Sequence, residues 1–353
     1  MQAIKNIIEL LNDKEAALIF TPTARQYLSG FRSSLGYLFI TKSQTVLFVD
    51  GRYIEAAETS VSKDIKVLLI TDLSKQVKSL LADNNILDLI TETSVTVGDV
   101  NDFKKLFDIP VCPSDALQQK IKDMRIIKTD DEVESIIKAQ QITEKAFDDI
   151  LNFIRPGVTE NEIAARLEYV MKVAGSEEPS FSTIAVTGAK TSMPHGTPAD
   201  VKVKAGDFIT MDFGAVYGGY HSDMTRTVAV GSVSDEMQKV YDTVLKANLK
   251  ALDAVRAGVT AATVDLAARD VIKSAGYGDY FTHSTGHGVG LDIHEAPTVS
   301  FKNEAPLNCG AVITIEPGIY IKGEFGVRIE DMVVVTKNGC NNLTKAAKSL
   351  III

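Results

Sequence analysis

Asp212 and Asp223 stand eleven residues apart in the run "MDFGAVYGGYHSDMTRT", one on each side of Gly218-Gly219, in an apolar stretch that reads as strand. Gly-Gly is a favoured two-residue hairpin turn. With residues 218 and 219 in the turn, residue i faces residue 437 minus i, so Asp212 stands opposite Thr225. Side chains alternate with period two, which puts Thr225 on the face of Asp223 and points both aspartates the same way. As diagonal neighbours, about 7 Å apart between backbones, they can grip one cation or a pair of cations. The competing reading is a pair of solvated aspartates on an edge hairpin. Arg226 offers one of them a counter-charge but lies on the opposite face from Asp223. Without a positive partner, two aspartates on an apolar face would have raised pKa values or would destabilise the fold.

Two further acids weigh against surface decoration. Glu316 ends the strand-like "VITIEPG", and Glu330 lies in "FGVRIEDMVVV", where Arg328 shares its face at i−2 and can hold it by a charge-assisted hydrogen bond. Charged residues in such apolar runs seldom persist without partners. Asp331 points the other way, to solvent or to a local structural contact. The chain has five histidines, His195, His221, His283, His287 and His294. Glycines 286, 288 and 290 would let the backbone approach a ligand closely, and His287 between them is the natural nitrogen donor. His195 in "MPHGTP" and His294 in "DIHEAP" occupy corresponding places before an acidic strand, whereas His221 offers at most support beside Asp223. Four carboxylates and one imidazole form a hard, oxygen-rich set. Such a set suits two divalent ions, Mn²⁺ foremost, with Co²⁺, Fe²⁺ and Zn²⁺ also accommodated. There is no His-Glu-x-x-His helix, nucleophile elbow, Walker loop or dinucleotide fingerprint at a strand-to-helix junction.

The elements that must position these residues occur twice. "RPGVTENEIAARLEYVMKVAG" (155–175) and "RAGVTAATVDLAARDVIKSAG" (256–276) agree without gaps at 8 of 21 positions. Thr159 and Thr260 stand where N-caps are wanted, Glu162 completes a capping box in the first copy, and each copy closes on a glycine fit to stop a helix. The likeness continues into "AGDFITMDFG" and "CGAVITIEPG", which sets Asp212 opposite Glu316, and each strand leads through a glycine-containing turn to a second acid. Four carboxylates are therefore expected at related places in two related halves.

At 353 residues the chain is long enough for two domains. Residues 1–124 mix strand-like "SLGYLFIT" and "TVLFVDG" with helical stretches and read as α/β; Pro113 and the polar residues after it are the candidate boundary, and residues 125–353 form the second domain. Ile4, Ile7, Ile8 and Leu11 fall on one helical face rather than in a signal peptide, so a cytoplasmic protein is expected. Cys112, Cys309 and Cys340 are odd in number and in no metal-binding spacing, and read as small buried residues. No apolar run approaches a membrane span, and a net charge of −9 argues against a broad nucleic-acid footprint.

In these residues the chain resembles the metal-dependent pita-bread peptidases, the family of methionine aminopeptidase, aminopeptidase P and prolidase. The ordered set Asp212, Asp223, His287, Glu316, Glu330 matches the family's metal ligands, and "YLSGFRSSLGYLFI" with "DGRYIEAA" resembles the creatinase-type N-terminal domain of its proline-specific members. The resemblance implies an α/β creatinase-like domain followed by an α+β pita-bread catalytic domain with an internal pseudo-twofold repeat. It implies two divalent ions per chain, with Asp223 and Glu330 bridging them, Asp212 on one, and His287 with Glu316 on the other. Glu316 would shuttle a proton, His195 and His294 would orient the scissile carbonyl, His283 would line the pocket and Arg328 would steady Glu330. The expected substrates are short peptides with proline second, cut before that proline, and the expected assembly is a homodimer. Several prolidases carry an Arg four residues after the histidine matching His294; here it is Thr298, which tilts the reading to aminopeptidase P, with Xaa-Pro dipeptidase (prolidase) as the alternative. A metal-free binding module and creatine amidinohydrolase chemistry are disfavoured, since all five ligand positions are filled.

Overall fold

The structure, a computed structural model, describes residues 2–353 and divides into two compact units, Met1–Arg125 and Ile126–Ile353. The first unit runs α1 (Gln2–Ile8), β1 (Glu15–Ile19), α2 (Pro22–Ser29), β2 (Gly36–Ile40), β3 (Thr45–Val49), α3 (Ile54–Ser60), β4 (Lys66–Leu69), α4 (Leu73–Asp83), β5 (Asp88–Thr91), α5 (Val97–Phe107), β6 (Val111–Pro113) and α6 (Asp115–Ile126). Its six strands form one mixed sheet in the order β4-β3-β2-β1-β5-β6. β3, "TVLFV", is buried along its whole length, as a strand covered on both faces must be. Leu47 and Val49 join Leu38, Ile40, Ala17 and Ile19 on one face with Ile4 and Ile7 of α1; Val46 and Phe48 join Phe39 and Leu18 on the other with Leu80 of α4 and Phe103 of α5. Pro113 closes the edge strand β6.

The second unit begins with α7 (Asp130–Phe153) and α8 (Glu160–Val173), then β7 (Ile184–Thr187), β8 (Phe208–Phe213), β9 (Val216–Tyr217), β10 (Tyr220–His221) and β11 (Met224–Ala229). The same plan follows with α9 (Asp235–Ala254), α10 (Ala261–Ser274), β12 (Gly286–Gly288), β13 (Glu295–Val299), β14 (Val312–Ile315), β15 (Gly318–Ile321), β16 (Phe325–Arg328), β17 (Asp331–Val335) and β18 (Cys340–Asn342). Thr159 and Glu162 form the expected capping box, and Thr260 accepts from the Thr263 N–H. Gly175 and Gly276 follow their helices with φ of 108° and 92°, a region open to glycine and strained for other residues. Each helix pair covers its own strands: Phe147, Ile163 and Leu167 pack on Ile209, Met211 and Phe213, while Val244, Val264 and Ala268 belong to the cluster of Ile313, Ile315 and Val327.

Both halves end in long antiparallel hairpins. In the first, Thr225 faces Asp212 and the register continues to Tyr217 opposite Tyr220; Gly218 and Gly219 take φ of 60° and 78°, the positive pair that a type I′ turn requires. β8 lies between β7 and β11, so Asp212 is not on an edge. In the second, Val312 faces Val334 and Ile321 faces Phe325, one register throughout. Carried to the ligand positions, it sets Glu316 across from Glu330 as Asp212 is set across from Thr225. The expectation of four equivalent acids is thus corrected: Glu330 corresponds to Thr225, and the counterpart of Asp223 is Arg328. The cysteines also differ from expectation, Cys112 and Cys309 being exposed and Cys340 half-buried.

Candidate metal centre

The two hairpins bring their polar residues together. Ligand-type atoms of Asp223, His287 and Glu330 all lie within 4.8 Å of one another, and His287 Nε2 is 3.5 Å from Asp223 Oδ2 and 3.4 Å from Glu316 Oε1. Asp212 Oδ2 accepts from Arg328 Nη2 at 2.5 Å. Asp223 and Glu330 are buried, and Asp212 Oδ1, Asp223 Oδ1 and Glu330 Oε1 have no hydrogen-bond partner. Buried polar atoms are ordinarily paired, so three orphaned oxygens on carboxylates that repel one another mark a place built for a positive ligand.

Charge and tautomer point the same way. Burial, then the Glu330, Asp212 and Glu316 carboxylates, push Asp223 well above the usual carboxylate range; burial and then the Glu316 and Asp212 charges do the same to Glu330. Burial pushes Glu316 up to about 8. His287 is held neutral by burial. Its Nδ1 lies 3.1 Å from the Gly288 carbonyl, which can only accept, so Nδ1 donates and Nε2 turns a lone pair toward two carboxylates. Lone pair facing lone pair is stable only with a proton or a cation between them. Two carboxylates, a neutral imidazole and further acids beside them fit divalent ions with oxygen and nitrogen ligands.

A set of neighbours holds the acids. Thr225 Oγ1 donates to Glu330 Oε2 at 2.7 Å and accepts from Arg328 Nε at 3.0 Å. Arg328 Nη1 donates to Tyr320 Oη at 3.0 Å, and His283, whose Nδ1 donates to the Ser284 carbonyl, accepts from Tyr320 Oη at Nε2, 2.8 Å away. Burial and the Arg328 charge lower His283 to about 4, so its imidazole is neutral. Arg328 was expected beside Glu330; it reaches that residue only through Thr225, and its fork is divided, with Nη2 on Asp212, Nε on Thr225 and Nη1 on Tyr320. Tyr320, Thr225 and Thr314, whose hydroxyl accepts from the His287 N–H, were not singled out from sequence. Parity carried a signal for Thr225, directly opposite Asp212, and for Tyr320, a diagonal neighbour of Arg328 across β15 and β16. Lysine keeps the charge of Arg328 but not the fork. Arg328→Lys is therefore expected to weaken Mn²⁺ binding about 10- to 100-fold, read by calorimetry.

His195 and His294 are both exposed, and their segments flank the acids. The Pro194 carbonyl accepts from Arg328 Nη1 at 3.3 Å, which ties the His195 segment to the Asp212 side, and the His294 ring stands edge-on to His287 with centroids 4.3 Å apart. His221 bonds the Ser180 hydroxyl at 2.8 Å through Nδ1. Glycines 286, 288 and 290 serve packing rather than ligand approach. A Cβ on Gly286 would lie 2.0 Å from the Thr314 carbonyl oxygen, and one on Gly288 would lie 2.3 Å from that of Ala296, so they let β12 press between β14 and β13. Arg226 and Asp331 are not solvent-facing: Arg226 Nη2 bonds Asp331 Oδ1 at 2.9 Å, Lys348 Nζ bonds Asp331 Oδ2 at 2.6 Å, and Arg226 also donates to the Glu330 carbonyl.

The model of Metallopeptidase family M24 matches residues 134–337, over half of the chain, and that of the Creatinase/Prolidase N-terminal domain matches residues 4–135. The chain belongs to metallopeptidase family M24. An Xaa-Pro dipeptidase of Pyrococcus horikoshii is 39% identical over 353 residues, covering 99% of each chain. Among solved structures, an Xaa-Pro dipeptidase from Bacillus anthracis superposes with a TM-score of 0.94 at 37% identity, covering 100% of this chain and 99% of its own. An X-Pro aminopeptidase from Thermotoga maritima superposes with a TM-score of 0.92 at 37% identity, covering 98% and 100%. The M24 membership makes the chain a metal-dependent hydrolase, with a creatinase-type domain before a pita-bread catalytic domain whose two halves repeat. No helix among the described residues is long and apolar enough to cross a membrane.

Proposed function

We propose that the chain is an Xaa-Pro dipeptidase that holds two divalent ions with Asp212, Asp223, His287, Glu316 and Glu330. The observation that carries the metal site is that Asp212, Asp223 and Glu330 each keep a buried oxygen without a partner while the lone pair of His287 Nε2 faces Asp223 Oδ2 and Glu316 Oε1. The dipeptidase reading draws its support from full-length relatives of that name. It replaces the preference for aminopeptidase P drawn from Thr298, which remains the second reading because Thr298, four residues after His294, is exposed and brings no positive charge there.

When bound, the ions acidify a water to make a nucleophile near neutral pH. Glu316 receives the proton at a carboxylate oxygen and delivers it to the departing proline nitrogen, which has no N–H of its own. His294 and His195, on the two flanks, orient the scissile carbonyl and donate to its oxygen as charge grows there. His283, neutral and fixed by Tyr320, lines the pocket without adding a charge.

The test is hydrolysis of Ala-Pro against Ala-Pro-Ala after chelation, with and without added Mn²⁺. Mn²⁺-restored cleavage of Ala-Pro, with Ala-Pro-Ala slower, is expected. The reverse order selects the aminopeptidase, and no metal-restored cleavage of either removes the proposal.

A further inference from the structure

A buried ion pair stands directly behind His294. Lys128 Nζ lies 2.5 Å from Glu295 Oε1, with side chains only 2% and 8% exposed. Lys128 is itself held: its N–H donates to the Gly310 carbonyl, Ile127 bridges Ala311 at the start of β14, and Thr129 caps α7. Glu295 opens β13 opposite Gly288, so the pair links a fixed point beside β14 to the strand that follows His294. Its carboxylate occupies the space over Gly290, where a Cβ would lie 2.4 Å from Oε1. His294 is the residue immediately before this anchored strand end, and its ring stands edge-on to that of His287, so the Lys128–Glu295 pair fixes the backbone from which the imidazole extends.

The other half has a comparable arrangement. Glu160 is fully buried on α8, accepts from the Thr187 and Ala199 N–H groups, and pairs with Lys190 at 2.6 Å, so it pins both ends of the segment that carries His195. A buried Lys–Glu pair is weak as a source of stability, since apolar residues of similar volume often do as well. A fully buried pair at the strand that follows His294, and a half-buried one that ties down the segment carrying His195, call for another role.

We propose that Lys128 and Glu295 are positioning residues that set the His294 imidazole against His287 and so aim it at the substrate carbonyl. The second part rests on the reading of His294 under the proposed function. Losing the aim of one donor to a developing oxyanion costs about 10²-fold in kcat, with little effect on ground-state binding.

The experiment compares Lys128→Met, Glu295→Gln and the double variant with wild type on Ala-Pro, with Tm and Mn²⁺ calorimetry beside the kinetics. Each single variant strands a buried charge and loses both Tm and kcat. The double variant is expected to regain Tm while kcat stays at least about tenfold down, KM within about threefold and Mn²⁺ affinity within about twofold. Lys128→Arg, which keeps the charge, is expected to keep most of kcat. Recovery of kcat together with Tm in the double variant, or Mn²⁺ affinity falling in step with kcat, overturns the proposal. In the metal-free protein labelled with ¹³C-histidine, the His294 resonance should move in the double variant while those of His283 and His195 stay; an unmoved His294 resonance also overturns it. That last readout decides the positioning even if wild type cleaves no Xaa-Pro peptide, the outcome that removes the proposed function instead.

Discussion

Asp223→Asn is expected to abolish hydrolysis and yet make the metal-free protein more stable. Asp223 is buried between Glu330, Glu316 and Asp212, with one oxygen unpartnered and the other facing the lone pair of His287. Asparagine keeps the volume, removes a buried like charge and supplies an N–H₂ that can donate to Glu330. In the absence of metal its Tm near pH 8 should therefore rise, by roughly 2–4 °C for each kcal/mol of repulsion relieved. The same change removes a charged ligand. Mn²⁺ should then lose most of its stabilising effect, and kcat/KM on Ala-Pro should fall by more than about 10³-fold, some 4 kcal/mol of transition-state stabilisation. A merely structural aspartate predicts the opposite pair, a lower Tm and an unchanged Mn²⁺ increment. Scanning calorimetry with and without Mn²⁺ separates the two before any substrate is chosen.

What was legible in the sequence was local. The register of the first hairpin follows from Gly218 and Gly219, whose two positive φ values leave little choice of turn, and the capped helices of both halves follow from Thr159 and Thr260. The contacts made where the hairpins cross were not legible. Thr225 donates to Glu330 across 105 residues and Arg328 reaches Asp212 across 116, and no period within either strand says which residues of one hairpin meet the other. The internal repeat misled at this point: similarity of the strands suggested four equivalent acids, but a shift of one strand pair puts Arg328 where the first half has Asp223. That exchange places a positive group among four acids, which lets Asp212 be held while Asp223 and Glu330 keep free oxygens for ions. Asp331, read as facing solvent or a structural contact, takes the contact, and how far it reaches was not legible for a related reason. Its partners come from β11 and from Lys348, a segment with no strand pattern to announce it.

The metal-free protein is expected to lose stability as pH rises from about 5 to about 8, and the metal-loaded protein to lose little. Asp223, Glu316 and Glu330 all have folded-state pKa values raised above their unfolded values, Glu316 to about 8. A group so raised binds its proton more tightly in the folded state. Its contribution is complete below the unfolded pKa and disappears as pH climbs through the folded one. For Glu316 alone, a shift from 4.5 to about 8 amounts to something on the order of 4 kcal/mol across that window, and the two aspartate and glutamate neighbours add in the same direction. Divalent ions offset this loss, because they bind the carboxylates only when deprotonated and so compete with the protons. At an ion concentration of 100 times Kd, each site adds about 2.7 kcal/mol to the folded state. The Tm difference between Mn²⁺-loaded and chelated protein should accordingly be small near pH 5 and widen by roughly 10 °C or more near pH 8. A difference that stays constant with pH would mean that Asp223, Glu316 and Glu330 do not give up their protons to a metal, and that the orphaned oxygens of Asp212, Asp223 and Glu330 have some other partner.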